Sequence, residues 1–129
     1  MSTKYKKIMI VDDNEFDSYI TARLIDNSNL AGEVIEFNSA KLALEFITEN
    51  QFNTKILPEI ILLDIYMPLM DGFEFIEKFR KLSNEANSYC KIYVVSTTIN
   101  DYYIHKAKID ENIRFTSKPI TTDFLSNLD

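Results

Sequence analysis

The sequence has only two glycines, Gly32 and Gly72, far apart, so it has no Gly-rich loop to cradle the phosphates of a nucleotide or FMN. Its one cysteine, Cys90, cannot form an internal disulfide, which fits a reducing compartment. Long apolar runs are missing too: Ile8–Val11 and Ile60–Leu63 are 4 residues each, against roughly 20 for a bilayer span. The basic start, Met1 to Lys7, leads into the first of these short runs, so it does not make a signal peptide, and the chain is expected in the cytoplasm without membrane attachment. Positive charge is scarce, with 14 basic against 20 acidic residues and a net charge of −6, which argues against a nucleic-acid surface. The single histidine, His105, has no second metal ligand near it in sequence and reads as a surface residue. Repeats, low-complexity tracts and Pro/Gly/Ser linkers are absent, so residues 1–129 are expected to form one domain without an output module.

What the chain does have is apolar material, 46% of its residues, enough for a core of its own. This material alternates between two patterns. Strands are expected at Lys7–Val11, Val34–Phe37, Glu59–Leu63, Lys91–Ser96 and Ile113–Thr116. Three of them carry nearly continuous apolar runs (IMIV, IILL, IYVV), the mark of strands covered on both faces of a parallel sheet. Helical spacing fills the gaps. Phe16, Tyr19, Ile20 and Leu24 follow Asn14, a plausible N-cap, and Ala40, Ala43, Leu44 and Ile47 follow Asn38 and Ser39. Phe73, Phe75, Ile76, Phe79 and Leu82 follow Asp71-Gly72. Asn100 can cap a helix carrying Ile104 and Ala107, and Thr121 or Thr122 a short one with Phe124, Leu125 and Leu128. Five successive βα units imply an α/β, flavodoxin-like fold: a doubly wound parallel sheet in the order 2-1-3-4-5, with helices on both faces.

That order makes the first and third strands neighbours. Asp12 and Asp13 end the first and Asp64 ends the third, so three carboxyl groups converge at the sheet edge where α/β folds bind ligands. A lone strand-end Asp usually caps the next helix; three together repel one another and call for a hard divalent cation. Ser96 ends the fourth strand, and Lys118 follows the fifth, just before Pro119. Singly each is routine. At that edge, a hydroxyl and an ammonium can hold a phosphoryl oxygen.

The motifs IMIVDDNEFD, ILLDIYMPLMDGFEFI, VVSTT and FTSKPI, spread from about Lys7 to the last helix, resemble the receiver domains of two-component response regulators. The resemblance implies a signalling switch, not an enzyme acting on other molecules. Asp64 matches the phosphoacceptor. Asp13, Asp64 and the backbone carbonyl of Tyr66 match ligands of Mg²⁺, for which Mn²⁺ substitutes, and Asp12 acts mainly through water. Ser96, Thr97 and Lys118 match the phosphoryl-binding positions, and the Lys118–Pro119 peptide is expected to be cis. Ser96 and Phe115 match the switch pair, and Tyr66 and Thr98 the positions that modulate dephosphorylation rate. The implied partners are a sensor histidine kinase or histidine phosphotransfer protein and a downstream target protein, with homodimerisation left open.

Three departures are visible: Ser96 stands where Thr is commoner, Phe115 where Tyr is commoner, and the last helix is expected to be short, with only nine residues from Thr121 to Asp129. A phosphatase of the haloacid dehalogenase type also uses an Asp nucleophile, but in a D-x-D-x-T/V segment after its first strand; here that strand ends DDNE. A receiver-like domain used only for protein contacts usually loses part of the acidic set or the lysine, and this chain keeps all of them.

Overall fold

The computed structural model describes residues 3–96 and 113–128. In chain order the elements are β1 (Tyr5–Val11), α1 (Glu15–Asn27), β2 (Ala31–Phe37), α2 (Ala40–Glu49) and β3 (Ile60–Asp64), then α3 (Gly72–Arg80), α4 (Asn84–Tyr89), β4 (Lys91–Ser96), β5 (Ile113–Ser117) and α5 (Thr122–Ser126). The helix expected from Asn100, with Ile104, His105 and Ala107, lies outside the described residues, as do Thr97 and Thr98.

All five strands run parallel in the order β2-β1-β3-β4-β5. Side chains alternate across the sheet, so each central strand feeds two cores. Met9, Val11, Ile61, Leu63, Ile92 and Val94 pack with α2, α3 and α4 residues such as Ile47, Phe75 and Ala86. Ile8, Ile10, Ile60, Leu62, Tyr93 and Val95 pack on the other face with Ile25 of α1 and Leu125 of α5. This two-sided burial is why the central strands carry unbroken apolar runs instead of alternating ones. The expected strands are all present, most of them extended by a residue or more at one end.

The helices start where side chains cap them. Asn14, Ser39, Asp71, Ser83 and Thr121 each accept a hydrogen bond from a backbone N–H in the first turn of the helix that follows. Leu82 falls beyond the end of α3, although it still packs against the core. Helix α4 was not expected from the sequence, because NEANSY has no apolar period and buries only Ala86.

Helix α1 corrects the sequence reading. Phe16, Tyr19 and Ile20 point outward, 71%, 57% and 39% exposed, while Ser18, Thr21 and Ile25 face inward. Two polar contacts fix this rotation. Ser18 Oγ donates to Glu36 Oε1 on β2 at 2.7 Å, and Asp17 accepts from Lys118 at 3.0 Å. Small Ser and Thr side chains fit between helix and sheet, and only Ile25 reaches deep into the core. Ile25→Ala should therefore destabilise the fold by about 2–5 kcal/mol, and Phe16→Ala by no more than about 0.5 kcal/mol. Urea unfolding of the two variants checks the orientation; equal losses would contradict it.

Candidate functional site

The C-terminal ends of β1 and β3 lie side by side, with Val11 registered against Leu63. The chain continues into Asp12 and Asp13 on one strand and ends in Asp64 on the other. One carboxylate oxygen from each of Asp12, Asp13 and Asp64 lies within 4.8 Å of the others. Asp12 and Asp64 are each 7% exposed, and Asp13 is open to solvent. Crowded, partly desolvated oxygen donors of this kind suit a hard cation such as Mg²⁺.

Lys118 reaches this cluster from the end of β5. Its Nζ donates to Asp12 Oδ2 at 2.8 Å and to Asp17 Oδ2 at 3.0 Å, and lies 3.7 Å from Asp64 Oδ2. Its backbone N–H donates to the Ser96 carbonyl at 2.8 Å, tying it to the end of β4. Ser96 is fully buried, one residue beyond Val95, the partner of Asp64 in the sheet register. The Lys118–Pro119 peptide is cis, as expected. Asp17 was not singled out in the sequence. Its partner lies 101 residues away, and no local motif marks it.

The loop after β3 is held close to the acid. The Gly72 N–H donates to Ile65 O at 2.9 Å, and a Cβ at Gly72 would come within 2.9 Å of Asp64 O and Ile65 Cα. Those are backbone atoms with little freedom to give, so only glycine lets α3 start here. The Tyr66 N–H faces Asp64 Oδ1 at 3.4 Å, and its side chain is 44% exposed. Phe115 is half-buried on β5 beside Val94, packed on the same side of the sheet as α2, α3 and α4. A cleft of about 320 Å³ opens above these strand ends, with Asp12, Asp17, Asp64 and Lys118 at its polar side and Phe16, Ile20 and Pro119 among its apolar walls.

The electrostatics follow from this packing. Burial, then repulsion from Asp12, push the Asp64 carboxyl up from 3.8 to about 6, against the opposing pull of Lys118 and the Tyr66 N–H. Burial pulls the Lys118 ammonium down, but its hydrogen bonds to Asp12 and Asp17 and the charges of Asp64 and Asp12 outweigh this and hold it above its ordinary value. Lys118 therefore stays charged at neutral pH.

A carboxyl with a raised pKa binds its proton more tightly folded than unfolded. Its contribution to stability therefore falls as pH rises from about 3.8 to about 6 and stays low above that. Asp64→Asn should remove this slope and stabilise the metal-free protein at pH 8, by on the order of 1–3 kcal/mol. Urea unfolding in a chelator at pH 5 and pH 8 measures it. A variant no more stable than the parent at pH 8 would show that the acids are not under strain.

Comparison with known proteins agrees with this geometry. Residues 8–128 match the family described as the response regulator receiver domain. A probable methanogenesis regulatory protein of Methanothrix harundinacea is 22% identical over 118 residues, covering 92% of this chain and 75% of that protein. Among solved structures, a two-component response regulator from Cytophaga hutchinsonii shares the fold with a TM-score of 0.87 at 22% identity, covering 95% of this chain and 92% of that one. A response regulator receiver protein from Dyadobacter fermentans gives a TM-score of 0.81 at 29% identity, covering 93% and 91% of the two chains. With its sheet order, its strand-end acids and a match across nearly its whole length, this chain belongs to the response regulator receiver domain family of two-component signalling.

Proposed function

We propose that this receiver domain is a phosphoryl-accepting switch whose acceptor is Asp64, loaded by a sensor histidine kinase or a histidine phosphotransfer protein. The observation that carries this is the convergence of Asp12, Asp13 and Asp64 within 4.8 Å, with Lys118 Nζ 3.7 Å from Asp64. Asp12, Asp13, Asp64 and the Tyr66 carbonyl are the residues that would hold Mg²⁺, or Mn²⁺ in its place. Bound there, the cation supplies positive charge that offsets the acids and the transferring oxygens.

The chain's own residues do the rest. An Asp64 oxygen forms a bond to phosphorus as the P–N bond of the donor phosphohistidine breaks; the leaving imidazole takes its proton from solvent. With its pKa at about 6, Asp64 is mostly ionised at neutral pH and so able to attack. Lys118 stands ready to pair with the phosphoryl oxygens, and positioning with electrostatics lowers the barrier. Ser96 and Thr97 are the proposed hydrogen-bonding partners of the bound group, Ser96 and Phe115 the proposed switch, and Tyr66 and Thr98 the proposed modulators of hydrolysis.

Output then passes by protein contact. The exposed apolar residues Phe16 and Ile20, which wall the cleft over Asp64, support a protein as the donor. Among the described residues no helix is long and apolar enough to cross a membrane. Cys90 is buried and its thiol pushed up to about 12 by burial, which leaves it inert.

Incubation with acetyl phosphate and Mg²⁺ should add one phosphoryl mass to the parent and none to Asp64→Asn, and a chelator should stop labelling. Equal labelling of parent and variant would overturn the assignment. Turnover of a generic phosphate monoester would point instead to a phosphatase.

A further inference from the structure

Asp12, Asn14, Asp17 and Lys118 close a ring of hydrogen bonds. The Asn14 N–H donates to Asp12 Oδ1 at 2.9 Å, and the Asp17 N–H donates to Asn14 Oδ1 at 3.0 Å. Lys118 completes the circuit, donating to Asp12 Oδ2 at 2.8 Å and Asp17 Oδ2 at 3.0 Å. The ring locks the end of β1, the first turn of α1 and the segment after β5 to one another. Among the described residues the ammonium donates to these two acids alone, and Asp64 at 3.7 Å lies beyond hydrogen-bond reach.

The two anchors differ. The side chain of Asp12 is 8% exposed, whereas that of Asp17 is 37% exposed, at the mouth of the cleft. The ammonium has a third N–H for an arriving phosphoryl group, and turning it toward that group lengthens its bond to one of the two acids. Asp17 can rehydrate when released, while Asp12 would be left buried without its partner, so the Asp17 bond is the one to break.

We propose that Asp17 is a positioning residue that holds Lys118 in a resting grip and releases it when a phosphoryl group arrives, slowing phosphorylation of Asp64. This rests on Asp64 being the acceptor. In the small-donor reaction, the Asp64 O–P bond forms, the bond from phosphorus to the acetyl oxygen breaks, and acetate leaves. Lys118 must turn toward the phosphoryl oxygens in the same step, and Asp17 opposes that turn.

Two measurements test the proposal with the isosteric Asp17→Asn. In metal-free protein, trace acetylation of Lys118 by acetic anhydride, read from peptide masses, should rise about two- to fivefold as the grip loosens. With Mg²⁺, the second-order rate of acetyl phosphate labelling should rise by about the same factor. Asp17→Glu should restore the parent rate, and the gain from Asp17→Asn should vanish in a Lys118→Gln background. A purely structural role would not depend on Lys118 in this way. Unchanged Lys118 reactivity, a labelling rate equal to or below the parent's, or a gain that survives in Lys118→Gln would each overturn the proposal. A parent that is not labelled at all would overturn the reading of Asp64 itself, and with it the proposed role of Asp17.

Discussion

The edge of the sheet depends on one ammonium group. Lys118 lies within 4 Å of carboxylate oxygens from Asp12, Asp17 and Asp64, contributed by three separate elements of the chain. Without it, the end of β1, the start of α1 and the end of β3 would meet as like charges in a partly buried cleft. Its charge is insufficient even so. Asp64 still sits well above the ordinary carboxylate range, because burial and Asp12 outweigh the pull of Lys118. The shortfall of positive charge makes the cleft receptive to a cation, and the half-exposed bond to Asp17 leaves Lys118 able to move.

The fold supplies this arrangement through a few exact fits. Parallel pairing of β1 with β3 sets Asp12 beside Asp64, and pairing of β3 with β4 brings Ser96 one step further along. The hydrogen bond from the Lys118 N–H to Ser96 O then joins β5 to that edge. Gly72 lets α3 begin against the Asp64 carbonyl, where any side chain would collide with backbone. The two cores behind the sheet, one on each face, give these strand ends a rigid base.

The strands were legible in the sequence because burial on both faces leaves unbroken apolar runs such as IMIV and IILL. The sheet order and the trio Asp12, Asp13 and Asp64 followed from the βα alternation. Helix α1 was not legible in the same way. Phe16, Tyr19 and Ile20 form a proper helical stripe, yet the helix turns Ser18 and Thr21 inward, because contacts with Glu36 and Lys118 set its rotation. Such contacts join residues far apart in sequence and leave no periodic trace. Asp17 escaped notice for the same reason: it looks like any acid in a first helical turn. Helix α4 was hidden by its polar composition, since it is held by a cap at Ser83, one buried Ala86 and hydrogen bonds from Asn87 to the Phe79 and Leu82 carbonyls.

Where a phosphoryl group lands decides whether Asp64 is the acceptor. Borohydride reduction of the phosphorylated protein, followed by peptide sequencing by mass spectrometry, converts an aspartyl phosphate to homoserine at the modified position. Homoserine at position 64, formed only with a divalent cation present, is the predicted result. Homoserine at position 12, 13 or 17 instead, or formed equally well in a chelator, would contradict it.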